Sequence, residues 1–330
     1  MRLPKRYPLA NLPTRVHALE RLGKKYGVSL WIKRDDETGL ITSGNKIRKL
    51  EFLAQDAIAQ ERDLLITWGA IQSNHARTTA AVAAQIGMDC LVLLRGEKTQ
   101  HYQGNLLLDR LLGADVIFVE PEEYARIDEA AERFAQKLTG QGRKAYLIPE
   151  GGSNALGSLG YVRMMQELAG QMKKHRLAFD SIICAVGSGG TYAGLLLGKK
   201  LFKLKTEIIG FNVCQDAAHF RKKIVGIVEQ AIVRYHLPVR IEPNEIKIVD
   251  GYVGRGYALS SPDELATLRE IAQLEGIILD PVYTGKTMHG LLDQIRQGTK
   301  QFGRRILFIH TGGVFGLFPK AEELSAAVTG

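Results

Sequence analysis

The chain has 330 residues, with 44 Lys+Arg against 35 Asp+Glu, a formal net charge of +9. A hydrophobic fraction of 45% and a charged fraction of 24% are those of a folded globular protein and exclude disordered, collagen-like and coiled-coil readings. The length suggests two domains. The basic residues are scattered and no recognition motif accompanies them, so nucleic acid is not an expected partner. Cys90, Cys184 and Cys214 lie far apart in apolar surroundings. They form neither a disulfide framework nor a zinc pattern, and a reducing cytoplasm is the expected compartment. The N-terminal segment lacks an apolar core of signal-peptide length, and glycine or charge interrupts every apolar stretch well short of a membrane span.

From residue 63 onward the pattern is strand, glycine turn, helix, repeated. Asp63–Ala70 reads as a buried strand, and Ser73–Gly87 as a helix that opens on a Ser/Asn cap and closes at glycine. Asp89–Gly96 is the next strand, with a helix through Asn105–Gly113. Asp115–Glu120 is a strand, and residues 122–138 read as one helix with a polar face. Lys144–Glu150 is a strand before the glycine pair Gly151-Gly152 and a long helix that ends in the exposed basic run Lys173–Arg176. Ser181–Gly187 and the helix GGTYAGLLLGKKL repeat the unit, and EIIGFNV follows as a strand. Continuous apolar strands alternating with helices imply parallel sheets covered on both faces. Ligands of such sheets sit at the carboxyl ends of the strands. The loops after Thr67, Ile148, Val186 and Ile309 are therefore the expected seat of the chemistry. The chain is expected to cross between two interleaved domains near residues 50 and 155.

Four segments could carry that chemistry. In SGNKIRKLEFL (Ser43–Leu53) a lysine opens a helix that also holds Arg48 and Lys49. Cations there oppose the helix dipole. The segment is either a basic first turn on a surface or a lysine whose amine is tuned by nearby cations for a Schiff base. In GAIQSNHAR (Gly69–Arg77) the Ser73-Asn74 pair either caps a helix or lends its free N–H groups to a carboxylate or phosphate. VGSGGTYAG (Val186–Gly194) is a glycine-rich turn into a helix, suited to a small phosphate or to tight helix–strand packing. It lacks the P-loop ending and the dinucleotide spacing. The C-terminal segments GRGYALS, DPVYTGK and FIHTGG place Tyr257, Tyr283 and Thr311 in glycine-flanked loops. The eight histidines show no metal-ligand spacing, and no G-x-S-x-G elbow is present. A nicotinamide dehydrogenase would need an early G-x-G-x-x-G turn, which is missing.

Taken in order, SGNKIRKLEFL, GAIQSNHAR, IPEGGSNALGSLGY, GSGGTYAG, LDPVYTGK and FIHTGG resemble the pyridoxal-phosphate enzymes of the 1-aminocyclopropane-1-carboxylate deaminase/D-cysteine desulfhydrase family, from about Leu30 to Leu317. The resemblance implies an α/β fold of two interleaved three-layer α/β/α domains with mainly parallel sheets, the tryptophan-synthase-β-like fold type II. Residues 1–50 and 155–330 would form the larger, cofactor-binding domain, and 51–154 a smaller α/β domain inserted in it. It implies pyridoxal 5'-phosphate as cofactor, a small amino acid as substrate and a homodimer as assembly.

The resemblance also implies roles. Lys46 would carry the Schiff base with the cofactor and act as general base. Asn74 would bond the phenolic oxygen of the cofactor. Gly187, Ser188, Gly189, Gly190 and Thr191 would cradle its phosphate, and Thr311 would face its pyridine nitrogen. Ser73, Asn74 and His75 would hold the substrate carboxylate, with Tyr257, Tyr283 and Thr284 also at the substrate. Ser73, Tyr257 and Tyr283 join Lys46 as catalytic candidates. The deaminase branch of the family typically has a glutamate after the tyrosine of DPVY and a leucine at the position of Thr311. The threonines found there resemble the desulfhydrase side. β-Elimination from D-cysteine is thus the leading expectation, L-cysteate sulfo-lyase the alternative and cyclopropane deamination a third. A cofactor-binding protein without turnover is the rival from another class.

Overall fold

The computed structural model describes residues 3–329. It begins with β1 (Val16–Ala18), α1 (Glu20–Tyr26), β2 (Ser29–Lys33) and the long helix α2 (Asn45–Ala59). An alternation follows: β3 (Leu64–Ala70), α3 (Asn74–Ile86), β4 (Asp89–Arg95), α4 (Gly104–Leu111), β5 (Asp115–Val119), α5 (Pro121–Tyr124), α6 (Ile127–Thr139) and β6 (Ala145–Ile148). Next come α7 (Ala155–His175), β7 (Ser181–Val186), α8 (Gly190–Leu201), β8 (Glu207–Asn212) and α9 (Ala217–Arg234). The remaining elements are β9 (Lys247–Val249), α10 (Pro262–Glu275), α11 (Thr284–Arg296), β10 (Arg305–Ile309) and α12 (Ala321–Thr329).

Local sequence explains these boundaries. Ser73 caps α3 by accepting from Ala76 N, and Gly87, in the left-handed region at φ 71°, closes it. The stretch expected as one helix over 122–138 is split into α5 and α6 because Arg126 leaves the helical region, at φ −121° and ψ 41°.

The strands form two sheets. One has the order β1-β2-β10-β7-β8-β9 and the other β5-β4-β3-β6. Among the described residues only the β1–β2 ladder is antiparallel. Alternation along the strands divides the core. On β7, Ile182, Cys184 and Val186 face one cluster while Ile183 faces another. Helices α2, α7, α8 and α9 supply the first cluster, which continues beneath the second sheet through Leu65, Val92 and Leu94. Helices α1, α10 and α11 cover the opposite face of the six-stranded sheet. Helix α6 closes the outer face of the four-stranded sheet over Leu64, Ile66 and Trp68.

The four-stranded sheet draws its strands only from Leu64 to Ile148. Residue 50, where a crossing is expected, lies inside the continuous helix α2, which packs on both α7 and α3. The approach of α7 is close: a Cβ at Gly160 would stand 2.3 Å from the carbonyl oxygen of Arg48.

A buried charge cluster pins α2 to β2 and α7. Arg48 donates from Nε to Asp35 Oδ2 at 2.9 Å and from Nη2 to Asp35 Oδ1 at 2.7 Å, and from Nη1 to Glu167 Oε2 at 3.0 Å. Thr14 and Tyr161 donate their hydroxyls to the same Asp35 at 2.8 and 2.6 Å. Lys33 pairs with Glu167 and donates to the carbonyl of Thr14. Burial disfavours the Asp35 carboxylate, yet the charges of Arg48 and Lys33 prevail and hold it below the usual carboxylate range. Removing one member leaves a charge buried without a counter-ion, the costly way to break such a pair. Arg48→Met is expected to lower the unfolding free energy by about 3–5 kcal/mol in urea titrations. A loss under about 1 kcal/mol, the scale of a surface pair, would contradict a structural role for the cluster.

Candidate active site

The carboxyl ends of β3, β6, β7, β8 and β10 converge on a cavity of about 370 Å³. Lys46 reaches it from the first turn of α2. Its Nζ lies 6.0 Å from the centroid of the Tyr283 ring and makes no hydrogen bond among the described residues. Burial lowers its pKa to about 8, and the carboxylates of Glu150 and Asp280 only partly oppose that. The neighbouring cations invoked from the sequence are not the main cause. Arg48 points the other way, into its carboxylate cluster.

One wall is built for an anion. The loop from β7 enters α8 with Gly189 at φ 86°, and Gly187, Ser188, Gly189 and Thr191 at this helix start line the cavity. Ser188 Oγ and Ser153 Oγ are 2.8 Å apart, Gly190 N donates to Ser153 Oγ at 3.2 Å, and Asn45 Nδ2 donates to Thr191 Oγ1 at 2.9 Å. A Cβ on Gly190 would come within 2.6 Å of Ser153 Oγ, so only glycine admits this contact. Behind the loop, Lys49 Nζ donates to Gly151 O at 3.0 Å and Ser153 Oγ at 3.1 Å. Lys49 is 1% exposed and has no carboxylate partner among the described residues. Burial, then the charges of Lys46 and Lys223, push its pKa well below the ordinary lysine value.

The opposite wall is the start of α3. Ser73 and Asn74 line the cavity beside Ala70. The His75 ring is 2% exposed and meets Thr67 Oγ1 at 2.9 Å. Burial keeps it neutral, so it adds no positive charge to the site at neutral pH. Tyr257 and Tyr283 close the mouth with their hydroxyls 2.6 Å apart. Burial raises both pKa values, that of Tyr257 to about 12, so both phenols stay protonated. Arg95 stands 5.8 Å from the centroid of the Tyr257 ring and 5.3 Å from that of Tyr124. Thr311 reaches the cavity from the end of β10, and its carbonyl accepts from Asn45 N at 3.1 Å.

Of the residues singled out in the sequence, Lys46, Ser73, Asn74, His75, Gly187, Ser188, Gly189, Thr191, Tyr257, Tyr283 and Thr311 come together around this one cavity. Gly190 lies in the wall behind them. Thr284 is the exception. It is fully buried and does not line the cavity. Its hydroxyl donates to Asp280 Oδ1 at 2.6 Å and accepts from Asp280 N at 2.9 Å, so the Asp280 turn absorbs it.

The sequence profile of the pyridoxal-phosphate dependent enzymes matches residues 8–312. The chain belongs to this family. A protein of Klebsiella pneumoniae named D-cysteine desulfhydrase is 42% identical, covering 95% of each chain. An Arabidopsis thaliana protein named bifunctional D-cysteine desulfhydrase/1-aminocyclopropane-1-carboxylate deaminase is 40% identical over 97% of this chain and 81% of its own. A crystal structure described as an ACC deaminase homologue superposes with a TM-score of 0.91 at 37% identity, over 98% of this chain and 96% of the other. Threonine deaminase isoform 2 of Solanum lycopersicum, with a TM-score of 0.68 at 19% identity, over 97% of this chain and 84% of the other, shares the fold. As in the family at large, the fold is α/β with mostly parallel sheets. No helix among the described residues is long and apolar enough to cross a membrane.

The residues present fit pyridoxal phosphate. The cavity pairs a low-pKa lysine amine with the glycine-rich start of a helix in the lining of one space. Asn45, Lys49 and Ser153 pack against the same loop, and the sequence alone does not single them out. The available signal was spacing: positions 45, 46 and 49 share a helix face, and GGSN follows a strand end.

The lowered pKa has a direct consequence. The neutral amine, the form able to bond a carbonyl carbon, grows as pH rises, is half the population near pH 8 and is nearly complete one pH unit higher. Cofactor uptake by the stripped protein is expected to quicken about tenfold per pH unit from 6 to 7 and to level off above 8, followed by visible absorbance. A profile still rising steeply between pH 9 and 10 would mean an ordinary, solvated lysine.

Proposed function

We propose that the protein is a β-elimination lyase that converts D-cysteine and water to pyruvate, ammonia and hydrogen sulfide. The observation that carries this reading is the placement of a low-pKa amine, Lys46, beside two hydroxyls that remain protonated, Tyr257 and Tyr283. Elimination needs a base at the α-proton and a proton donor near the departing group. Lys46 Nζ takes the first role. The paired phenols take the second and pass a proton toward the departing sulfur. Sulfide is a weak enough base to leave with such modest help.

The remaining residues bind and orient. Ser73 and the free N–H groups of the first turn of α3 hold the substrate carboxylate. Gly187 to Thr191, with Asn45 and Lys49, hold the phosphate, and Asn74 and Thr311 meet the ring. When bound, the cofactor supplies an electron sink for the electrons released at the α-carbon. A neutral hydroxyl at the ring nitrogen, rather than a carboxylate, favours prompt loss of the β-substituent over deeper delocalisation. Thr284 and Thr311 stand where ring-opening members of the family have glutamate and leucine, which argues against cyclopropane deamination. The same reading includes a homodimer in the cytoplasm, with no metal and no nucleic acid.

One observation favours a second reading. The guanidinium of Arg95 reaches the cavity over Tyr257 and would suit the sulfonate of L-cysteate, with sulfite as the leaving group.

D-cysteine, L-cysteine, L-cysteate and 1-aminocyclopropane-1-carboxylate tested side by side separate these readings. Pyruvate and sulfide from D-cysteine alone are expected. Sulfite from L-cysteate would transfer the assignment to the sulfo-lyase. Turnover of none, by a protein with bound cofactor, would overturn both readings.

A further inference from the structure

Asn74 lines the cavity, and its amide could present either an oxygen or an N–H group to a ligand. The surroundings decide between them. Asn105, fully buried at the start of α4, sits behind Asn74. Its Oδ1 receives the Nε–H of Arg77 at 3.2 Å. Its Nδ2 donates to the backbone carbonyl of Gln72 at 3.0 Å and to Asn74 Oδ1 at 3.1 Å. A guanidinium only donates and a carbonyl only accepts, so Asn105 has one possible orientation. The atom of Asn74 that faces Asn105 must then be its oxygen. Its Nδ2 is left for the cavity.

Arg77 is itself fixed. It is fully buried, donates to the carbonyls of Ile41 and Ser43, and stacks on the Phe315 ring with its guanidinium carbon 5.1 Å from the centroid. The carbonyls belong to the segment that leads into Lys46. The ring belongs to the turn after β10. One side chain therefore ties α3 to two other walls of the site while setting the polarity of the amide chain. The backbone N–H of Asn105 also donates to Gln72 Oε1 at 2.9 Å, which holds α4 against the loop that precedes α3.

We propose that Arg77 and Asn105 are positioning residues that fix Asn74 as a hydrogen-bond donor toward the cavity. The ligand atom it meets is an acceptor oxygen, best an anionic one, since a fixed N–H favours the charged form of its partner. The inference rests on the proposed site for pyridoxal phosphate, where the ring's phenolic oxygen is such an atom.

The test uses the cofactor-loaded protein and two readouts other than turnover: the rate of cofactor loss on dialysis, and the pH dependence of the visible absorption band. Asn105→Asp replaces the donor to Asn74 by an acceptor, which turns the Asn74 amide over and aims its oxygen at the cavity. Cofactor loss is expected to quicken about tenfold, the value of one hydrogen bond to a charged group, and the band to shift its titration. In an Asn74→Ala background the same change should add nothing, because its effect passes through Asn74. Equal and additive effects in both backgrounds would overturn the proposal. Should Asn105→Asp fail to fold, Asn105→Ala removes the donor without adding charge and is read by the same comparison. A wild-type protein that shows no visible band with pyridoxal phosphate would overturn the underlying site as well, so the two failures are distinct.

Discussion

The site depends on one buried interaction, the grip of Asp35 and Glu167 on Arg48. Helix α2 carries cations at positions 46, 48 and 49, and its buried start leaves two of those amines without carboxylate partners. Such a helix would not stay in place unaided. The bidentate pair with Asp35 and the second contact with Glu167 fix its rotation about its own axis. With Arg48 turned toward α7, positions 45, 46 and 49 are turned toward the cavity, as the helical period requires. The cluster places one buried cation where it is neutralised, and leaves the neighbouring lysines turned away from it.

The two lysines one turn apart illustrate how burial divides labour. Both amines are held below the ordinary lysine range, chiefly by desolvation. Lys49 is enclosed, donates to Gly151 O and Ser153 Oγ, and sits behind the anion loop. Its charge is restored most cheaply when an anion arrives. Lys46 has open space before it and two carboxylates, of Glu150 and Asp280, near enough to moderate its shift to about 8. In the function proposed above, the first backs the phosphate and the second reacts. The cavity thus sorts nearly identical side chains by what surrounds them.

Much of this was legible in the chain. Glycine and Ser/Asn punctuation marked α3 to within a residue, and continuous apolar strands announced parallel sheets. Segments flanking strand ends named most of the cavity. The misses share a cause. Lys49 looked like part of a basic face, because its lack of a counter-ion is a property of the packed interior. Thr284 is a substrate candidate only through the resemblance, as the position where the deaminase branch has a glutamate; in the fold the Asp280 turn captures its hydroxyl. Asn105 gave no signal, since it lies 31 residues from Asn74 and meets it only through the packing of α4 on α3. Local pattern specifies elements and loops, whereas partner choice among polar side chains is settled by tertiary contacts.

The central claim is that Lys46, and not the more deeply buried Lys49, is the amine that bonds the cofactor. Borohydride reduction of the protein loaded with pyridoxal phosphate, followed by peptide mass spectrometry, tests it directly. The added mass is expected on Lys46 alone. Its appearance on Lys49, or on neither lysine of α2, would contradict the division of roles described above.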